Sequence, residues 1–389
     1  MQTVLTLIER APLKPRNPAL NGDMRTAGDI SFRLSSTVGV VEFCGSNSLF
    51  SEAAQKVFQV DELGDLLIPK LEAGAAFSEL VEAVAARGLP KTLAPVCAEN
   101  FLSSLANAGL IEIDLPPPRR PTFGTYDLAG ISIRFDGIPA HVAKLVSPLL
   151  ALSARTRRRP DVVYGISNLH DRICISRNPH RDMIVGVDEL VPALKASLSQ
   201  DILDDTSDRI ALHGALLVRN GRGLVLCGRP GAGKSTLATF LTAEGYRYES
   251  DDICMIDRNG KALGVPFPAS LKGESWKLLR KFGGRIRELP VHRRLDGDLV
   301  RYFAPLERPT TRKVAIHRIV YLVRTRKGKP ALQPLAFDDA VARLIEGAYS
   351  SSHGLTKSQV QLFLDMLARV RFDELRYSKL AAVPPLLNV

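Results

Sequence analysis

The stretch that decides the fold is Gly223-Leu-Val-Leu-Cys-Gly-Arg-Pro-Gly-Ala-Gly-Lys-Ser-Thr236. The apolar run before Gly228 predicts a buried strand, and the apolar residues after Thr236 predict a helix. Between them lies a Gly-x-x-x-x-Gly-Lys-Ser pattern, whose glycines let backbone N–H groups turn toward phosphate oxygens. A strand, a glycine-rich loop and a helix in this order predict an α/β nucleotide-binding core.

This loop supplies the residues expected to hold a nucleotide. Lys234 can reach the β- and γ-phosphates, the Ser235 hydroxyl can ligate Mg²⁺, and the start of the following helix adds its dipole. We therefore expect ATP and Mg²⁺ as cofactors. The predicted nucleotide-binding residues are Gly228, Arg229, Pro230, Gly231, Ala232, Gly233, Lys234, Ser235 and Thr236.

Two adjacent acids, Asp251 and Asp252, stand seventeen and eighteen residues after Lys234, before an apolar stretch that predicts a strand. Phosphoryl transfer needs an acid that holds the metal and a group that positions the nucleophile. Adjacent acids can divide these tasks, one toward Mg²⁺ and one toward the incoming hydroxyl. The alternative is an acidic turn without a catalytic role.

His213 lies twenty-one residues before Lys234, within the apolar stretch Ile-Ala-Leu-His-Gly-Ala-Leu-Leu-Val. Its spacing alone fits a core histidine in a strand pair as well as it fits a catalytic residue. The blocks around it decide between the two. The sequence blocks concerned are His213-Gly214, residues 228–235, Gly245-Tyr246-Arg247 and Asp251-Asp252.

Together these blocks resemble the catalytic domain of HPr kinase/phosphorylase and its relatives, whose spacing is reproduced without gaps from His213 to Asp252. The resemblance continues through residues 266–275, ends near residues 377–380, and covers roughly residues 125–385. It implies a P-loop kinase fold and a protein-serine kinase. Asp252 would take the proton of the attacking hydroxyl, with His213 beside it. Asp251 would help to hold Mg²⁺, and Lys234 would stabilise charge on the transferring group.

One departure from the family concerns a Leu-Glu-Ile-Arg-Gly signature, linked to phosphorylase activity, which the sequence does not carry downstream of the acids. Glu274 and Glu288 are candidate substitutes for the metal ligand of this signature, but neither has its sequence context. This departure argues against phosphorolysis and against HPr as the substrate. Lys272 is a further candidate contact to phosphate or substrate, and Arg312 and Arg318 are candidates for an arginine that acts on the transition state.

Charge and proline divide the chain. Residues 1–115 carry a net charge of −5 and the remainder carries +16, with 14 basic and 4 acidic residues between 281 and 329. We expect an N-terminal domain at 1–115, a Pro-rich linker at 116–121 and a catalytic domain at 122–389, which begins with a small β-rich lobe at 122–212. The basic field attracts polyanions, although a solvated basic face is the simpler interpretation.

The N-terminal domain is predicted to be a winged helix-turn-helix. Strands are expected at 30–34, 38–44, 57–60 and after 109, a turn at 45–47, and helices at 61–72, 77–87 and 95–108. The third helix has no Lys or Arg, so no nucleic-acid partner is expected. The region resembles PqqD-like peptide-binding domains in element order and in residues 61–67 and 101–111. The resemblance implies capture of a leader peptide as an added strand, against the third helix; a structural appendage is the alternative.

The remaining composition excludes several classes of protein. No apolar run approaches the ~18–20 residues of a membrane helix, and no signal peptide is apparent. Five cysteines without CxxC spacing fit a reducing cytoplasm. We therefore expect a cytoplasmic protein without a membrane partner, and the sequence leaves open whether it forms a homo-oligomer.

The leading hypothesis is an ATP-dependent kinase that phosphorylates a serine, or a threonine, of a ribosomally made precursor peptide captured by its leader. A second hypothesis keeps the kinase but changes the acceptor to an HPr-like carrier protein or a small hydroxylated molecule. A third is a non-catalytic, nucleotide-gated regulator, which would need no base such as Asp252.

Overall fold

The computed structural model describes residues 5–6, 30–43, 46–117, 123–178, 181–204, 209–279, 282–305, 307, 309–310, 312–349 and 355–387. The chain forms two compact units. Unit 1 comprises residues 1–125, 132–144 and 157–190, and unit 2 comprises residues 126–131, 145–156 and 191–389. This division differs from the expected boundary at 116–121, because parts of the predicted β-rich lobe group with the N-terminal residues. Residues 118–121 of the expected linker lie outside the described residues.

The first half of the chain alternates short strands with helices. Its elements are β1 (Leu5–Thr6), β2 (Ser31–Leu34), β3 (Val38–Phe43), β4 (Ser46–Ser51), β5 (Lys56–Gln59), α1 (Glu62–Ala73), β6 (Ala75–Ala76), α2 (Phe77–Ala86), α3 (Ala94–Asn107), β7 (Ile111–Asp114), β8 (Gly124–Leu128), β9 (Ile131–Asp136), α4 (Ala140–Val146), β10 (Ala154–Arg155), β11 (Val162–Leu169), β12 (Arg172–Asn178), β13 (Met183–Val185) and α5 (Leu190–Asp204).

The described residues of the second half likewise form more strands than helices. Its elements are β14 (Ile210–His213), β15 (Ala215–Arg219), β16 (Arg222–Cys227), α6 (Lys234–Thr242), β17 (Arg247–Ser250), β18 (Ile253–Ile256), β19 (Lys261–Gly264), β20 (Ala269–Lys272), α7 (Gly273–Leu278), α8 (Gly283–Arg287), β21 (His292–Arg293), β22 (Leu299–Phe303), β23 (Val314–Arg324), β24 (Ala331–Pro334), α9 (Phe337–Glu346), β25 (Ala348–Tyr349), α10 (Lys357–Leu367) and β26 (Arg371–Tyr377), followed by 3₁₀ turns at Leu380–Ala382 and Pro384–Leu386.

Unit 1 packs its three helices around small sheets. One sheet has the order β1-β5-β4-β3, with β1 parallel to β5 and the other neighbours antiparallel, and a second has the order β6-β2-β7. A further run, β9-β11-β12-β13, is parallel only between β9 and β11. Apolar residues of α1, α2 and α3 share a core with Leu169, Cys174 and Ile184.

The three helices predicted for the N-terminal domain are present within two residues of the expected ends, and so is the final strand. The turn expected at 45–47 is shorter, because Ser46 already pairs with Phe43 at the start of β4. Gly45 and Cys44 lie outside the described residues. Strand β4 was not predicted, because its Ser-Asn-Ser-Leu-Phe-Ser sequence is rich in polar residues that are typical of turns. Its pairing with β3 and β5 makes it a strand.

Unit 2 is built on one large mixed sheet with the order β17-β15-β16-β23-β19-β18-β14-β25, in which β26 also pairs with β23. Strands β16, β23 and β26 run parallel. Side chains of β16 alternate between two cores: Leu224 and Leu226 pack with Leu237 of α6, whereas Val225 packs with residues of α9 and α10. The result is a sheet covered by helices on both faces, a mixed α/β arrangement consistent with the expected fold class.

Membrane insertion through a helix finds no support in the described ranges. None of their helices is both long enough and apolar enough to cross a bilayer.

Candidate active site

The glycine-rich loop connects β16 to α6, so the strand and the helix expected from the sequence flank it. Gly228, Gly231 and Gly233 have φ values of 144°, 83° and 91°, which other residues rarely adopt. A Cβ on Gly233 would also lie 2.5 Å from the Tyr377 hydroxyl. That hydroxyl donates a hydrogen bond to the carbonyl of Ala232 at 2.8 Å, so the end of β26 holds the loop in place.

Lys234 lies inside this loop and is only 7% exposed. Its Nζ donates to the carbonyl of Gly228 at 2.7 Å and contacts that of Arg229 at 3.5 Å. Burial lowers the pKa of Lys234, while Asp252 and Asp251 act to raise it. The ammonium therefore stands at the centre of a loop of turned backbone, where it can reach phosphate oxygens. These residues fit a polyphosphate.

The other residues of the loop differ in their surroundings. The Thr236 hydroxyl lies 2.6 Å from that of Ser275 and is buried, which fixes the first turn of α6. Arg229 is exposed and pairs with Glu346 at the end of α9, at 3.2 Å. Residues 229–232 line a cavity of ≈ 600 Å³, together with residues 321–324 at the end of β23 and with Asp339, Ala342, Arg343 and Glu346 of α9.

Asp251 is buried in the turn between β17 and β18, with 2% exposure. Its Oδ2 accepts a hydrogen bond from the backbone N–H of Ser270 at 2.9 Å, and its Oδ1 is buried without a hydrogen-bond partner. Burial raises the pKa of Asp251, and contacts with Lys195, Ser270 and Ser235 act to lower it. A buried oxygen without a partner beside the Ser235 side chain suits a cation.

Magnesium fits these two residues. In phosphoryl-transfer sites Mg²⁺ is usually held by one or two protein oxygens together with substrate phosphates and water. Ser235 and Asp251 provide such a set. Within the described ranges, no group of three or more His, Cys, Asp and Glu side chains is placed to hold a metal by itself.

Asp252 follows directly and has a different environment. Its side chain is 26% exposed, its Oδ1 lies 3.0 Å from Nδ1 of His213, and its Oδ2 accepts a hydrogen bond from Lys195 at 2.5 Å. Burial acts to raise the pKa of Asp252, but Lys195 and His213 outweigh it and hold the pKa well below its usual range. Asp252 is therefore a carboxylate that reaches the surface, as the acceptor of a hydroxyl proton must.

Strand pairing brings His213 to this carboxylate. Strand β14 lies between β18 and β25, so His213 pairs with Ile253, which follows Asp252. The backbone N–H of Gly214 donates to the carbonyl of Asp252 at 3.1 Å. A Cβ on Gly214 would lie 2.9 Å from the carbonyl oxygen of Leu226, which explains why glycine follows the histidine.

Tyr349 completes this side of the cluster and was not anticipated from the sequence. Its hydroxyl lies 2.7 Å from Nδ1 of His213, the same nitrogen that contacts Asp252. Burial raises the pKa of Tyr349 and the charge of Asp252 raises it further, so the phenol stays protonated. Little in the sequence pointed to this residue, because β25 is only two residues long.

Lys195 of α5 is the other residue that the sequence analysis missed. It is 7% exposed, and its Nζ contacts both Asp252 and the Ser270 hydroxyl, the latter at 3.1 Å. A signal was present: Lys195 falls in line with Val191, Leu198 and Ile202, the buried stripe of the helix. A lone charge at a core position of an apolar stripe points to a buried partner.

Three further candidates from the sequence, Lys272, Glu274 and Arg318, have other surroundings. Lys272 forms a half-exposed ion pair with Asp298, Glu274 is largely exposed, and Arg318 is buried in an ion pair with Asp373. These contacts do not bring them to the acid pair. Arg294 was not singled out; it forms an ion pair with Asp296, and its charge acts to lower the pKa of both Tyr302 and Tyr349.

Comparison with known proteins adds one similarity. No family model matches the chain. HPr kinase/phosphorylase from Azoarcus sp. (strain BH72) is 29% identical over 123 residues, which are 32% of this chain and 34% of the relative. The similarity is to a kinase. The chain spans only about a third of that relative's length, and the PqqD-like resemblance of the N-terminal region gains no support from the similarity.

Proposed function

We propose that this protein is an ATP-dependent kinase that transfers the γ-phosphate to a serine or threonine hydroxyl of a ribosomally made precursor peptide, captured by its leader. One observation carries the kinase part. The partly exposed Asp252 carboxylate lies beside His213. The glycine-rich loop carries Lys234, and the charges of Asp252 and Asp251 both act to raise the pKa of this lysine. The similarity to an HPr kinase/phosphorylase supports the same chemistry.

The residues of the cluster divide the work. The loop N–H groups and Lys234 hold the phosphates and stabilise charge on the transferring group. Asp252 accepts the proton of the attacking hydroxyl through Oδ1, the oxygen that faces His213. His213 orients that oxygen, and the Tyr349 hydroxyl holds the His213 ring. Mg²⁺, when bound, supplies charge neutralisation between phosphate oxygens, and Ser235 and Asp251 would hold it.

Unit 1 is the proposed site of leader capture. Strand β3 lies at the edge of its sheet, opposite the edge covered by β1, and its Val40 and Val41 are more than one-third exposed. An exposed apolar edge strand can accept an extended peptide through backbone hydrogen bonds. Binding of the leader would raise the effective concentration of the acceptor.

The third helix is a less suitable place for the peptide than the sequence suggested. Ser103 and Asn107 of α3 bond to the backbone of Ile184, and Asn100 and Ser103 accept from Arg172. The chain itself therefore fills this face of α3. The proposal places the leader at the β3 edge alone.

The kinase is tested by incubating the protein with labelled ATP, Mg²⁺ and candidate acceptors, and by mapping the added phosphate by mass spectrometry. Peptides encoded beside the gene, an HPr-like carrier protein and small hydroxylated molecules are compared. Preferred transfer to the carrier or to a small molecule would replace the peptide acceptor. ATP binding without transfer or turnover would favour a nucleotide-gated regulator instead.

Leader capture is tested separately in the full-length chain. The double variant Val40→Lys/Val41→Lys should raise KM for a precursor peptide severalfold and leave kcat unchanged, because it disturbs only the edge. A leaderless peptide should be phosphorylated equally poorly by both proteins. Val291→Lys, at a valine of similar exposure in unit 2, is the matched control. An unchanged KM for the precursor in the double variant would remove the capture role.

A further inference from the structure

Lys195 is a buried cation at the catalytic cluster that the proposed roles do not use. Removing an ammonium from water is unfavourable unless charged and hydrogen-bonding partners replace the water. Two partners do so here, the Asp252 carboxylate and the Ser270 hydroxyl, and the ring of Phe267 lies 5.6 Å from the ammonium. Such a complete set of partners fixes the position of the ammonium.

Ser270 connects Lys195 to both acids. Its hydroxyl accepts from Lys195, while its backbone N–H donates to Oδ2 of Asp251. Strand β20, which carries Ser270, is paired with β22 through Ser270 and Tyr302, so the serine stands on a rigid sheet. The lysine is thus attached to the framework that also holds the proposed metal-binding acid.

The Lys195 ammonium and His213 contact different oxygens of the Asp252 carboxylate. Lys195 bonds to Oδ2, whereas Oδ1 faces His213. The terminal torsion of an aspartate is broad and nearly two-fold, so a carboxylate without such a partner turns easily. With Oδ2 held by the buried ammonium, Oδ1 stays turned toward His213.

We propose that Lys195 is a positioning residue for phosphoryl transfer, which holds Asp252 through Oδ2 and so presents Oδ1 to the acceptor hydroxyl. The inference rests on the proposed kinase function and deepens it. It differs from the role of Lys234, because Lys195 acts through the protein's own carboxylate and does not bind phosphate.

The first test is Lys195→Met, which keeps the length of the side chain and removes its charge and donors. We expect kcat to fall about 10²-fold, the size of loss that a misplaced reacting group produces. The affinity for ATP should stay within about threefold of the wild type, and Lys313→Met, which removes the lysine of the Lys313–Asp257 pair, should leave kcat unchanged. A loss of ATP affinity as large as that of Lys234→Ala would overturn the proposal in favour of phosphate binding.

A double-mutant cycle with Asp252→Asn tests the route of the effect. If Lys195 acts through Asp252, adding Lys195→Met to Asp252→Asn should lower kcat no further, since the oriented carboxylate is already gone. Losses that multiply would contradict the proposal. Ser270→Ala is the second variant if Lys195→Met does not fold, and it should lower kcat less and show the same non-additivity.

A crystal structure of the Lys195→Met variant decides the matter independently of activity. The Asp252 carboxylate should turn away from His213, lengthening the 3.0 Å contact between Oδ1 and Nδ1. An unmoved carboxylate would overturn the positioning role. An inactive wild-type protein would instead remove the proposed kinase function and leave this structural test standing.

Discussion

Each unit contains a carboxylate close to a histidine, and the two carboxylates differ in how much of the side chain is exposed. In unit 1, Glu99 is 2% exposed, its Oε1 accepts from the backbone N–H of Asp171, and its Oε2 lies 3.7 Å from Nδ1 of His170. In unit 2, Asp252 has similar partners but keeps a quarter of its side chain exposed.

The difference separates an acid with a structural role from the proposed proton acceptor. Glu99 ties α3 to the turn before β12, and burial raises its pKa, so the site tolerates a protonated acid. Asp252 is kept ionised by Lys195 and His213 and can meet a hydroxyl from outside. Substitution of Asp252 should therefore lower phosphoryl transfer more than it lowers stability, and substitution of Glu99 should do the reverse.

The largest effect is expected for Lys234→Ala. Loss of the loop cation should lower phosphoryl transfer about 10²-fold or more, as for other lost contacts to a charged transition state. Steady-state assays with labelled ATP measure it, and a circular-dichroism melt checks the fold. Full activity in this variant would show that the loop is not the active site.

Asp252→Asn should follow closely, with retained ATP binding and transfer reduced about 10²- to 10⁴-fold, since only the proton acceptor is removed. Asp251→Asn should instead raise the Mg²⁺ concentration needed for half-maximal activity. Calorimetric ATP titration and rate measurements distinguish the two. Normal transfer by Asp252→Asn beside an inactive Asp251→Asn would reverse the assigned roles.

Tyr349→Phe should have a smaller effect on transfer. One hydrogen bond to the cluster is worth about 1 kcal/mol, which corresponds to a roughly fivefold lower kcat. Tyr246→Phe is the matched control, because that hydroxyl bonds to the carbonyl of Leu387 and serves packing. Its kcat should be unchanged while its Tm falls. Equal kcat losses in the two variants would argue that Tyr349 is structural.

Glu99→Gln should change only stability. Because folding raises the pKa of Glu99, the folded protein binds its proton more tightly, and stability is lost as the pH rises above the ordinary glutamate pKa of about 4.3. The glutamine variant lacks this loss, so its Tm should rise relative to the wild type between pH 4 and pH 7. A Tm difference independent of pH would show that the charge of Glu99 is not the cause.

The sequence by itself determined the local parts of this protein. The alternation in β16, the glycines of the loop and Lys234 follow from the short-range needs of a strand, a turn and a helix start. The three helices of unit 1 follow from their 3.6-residue periodicity. The resemblance of the sequence blocks from His213 to Asp252 to the HPr kinase family selected both residues as site candidates.

Tertiary structure decided what those residues touch. Lys195 and Tyr349 lie 57 and 97 residues from Asp252, and only the packing of α5 and the pairing of β25 with β14 bring them to it. The sequence also did not predict that residues 132–144 and 157–190 group with the N-terminal helices. A local sequence pattern predicts which side chains a segment places on its buried face. It does not predict the partner of a buried charge, because any complementary residue of the chain can become that partner through long-range packing.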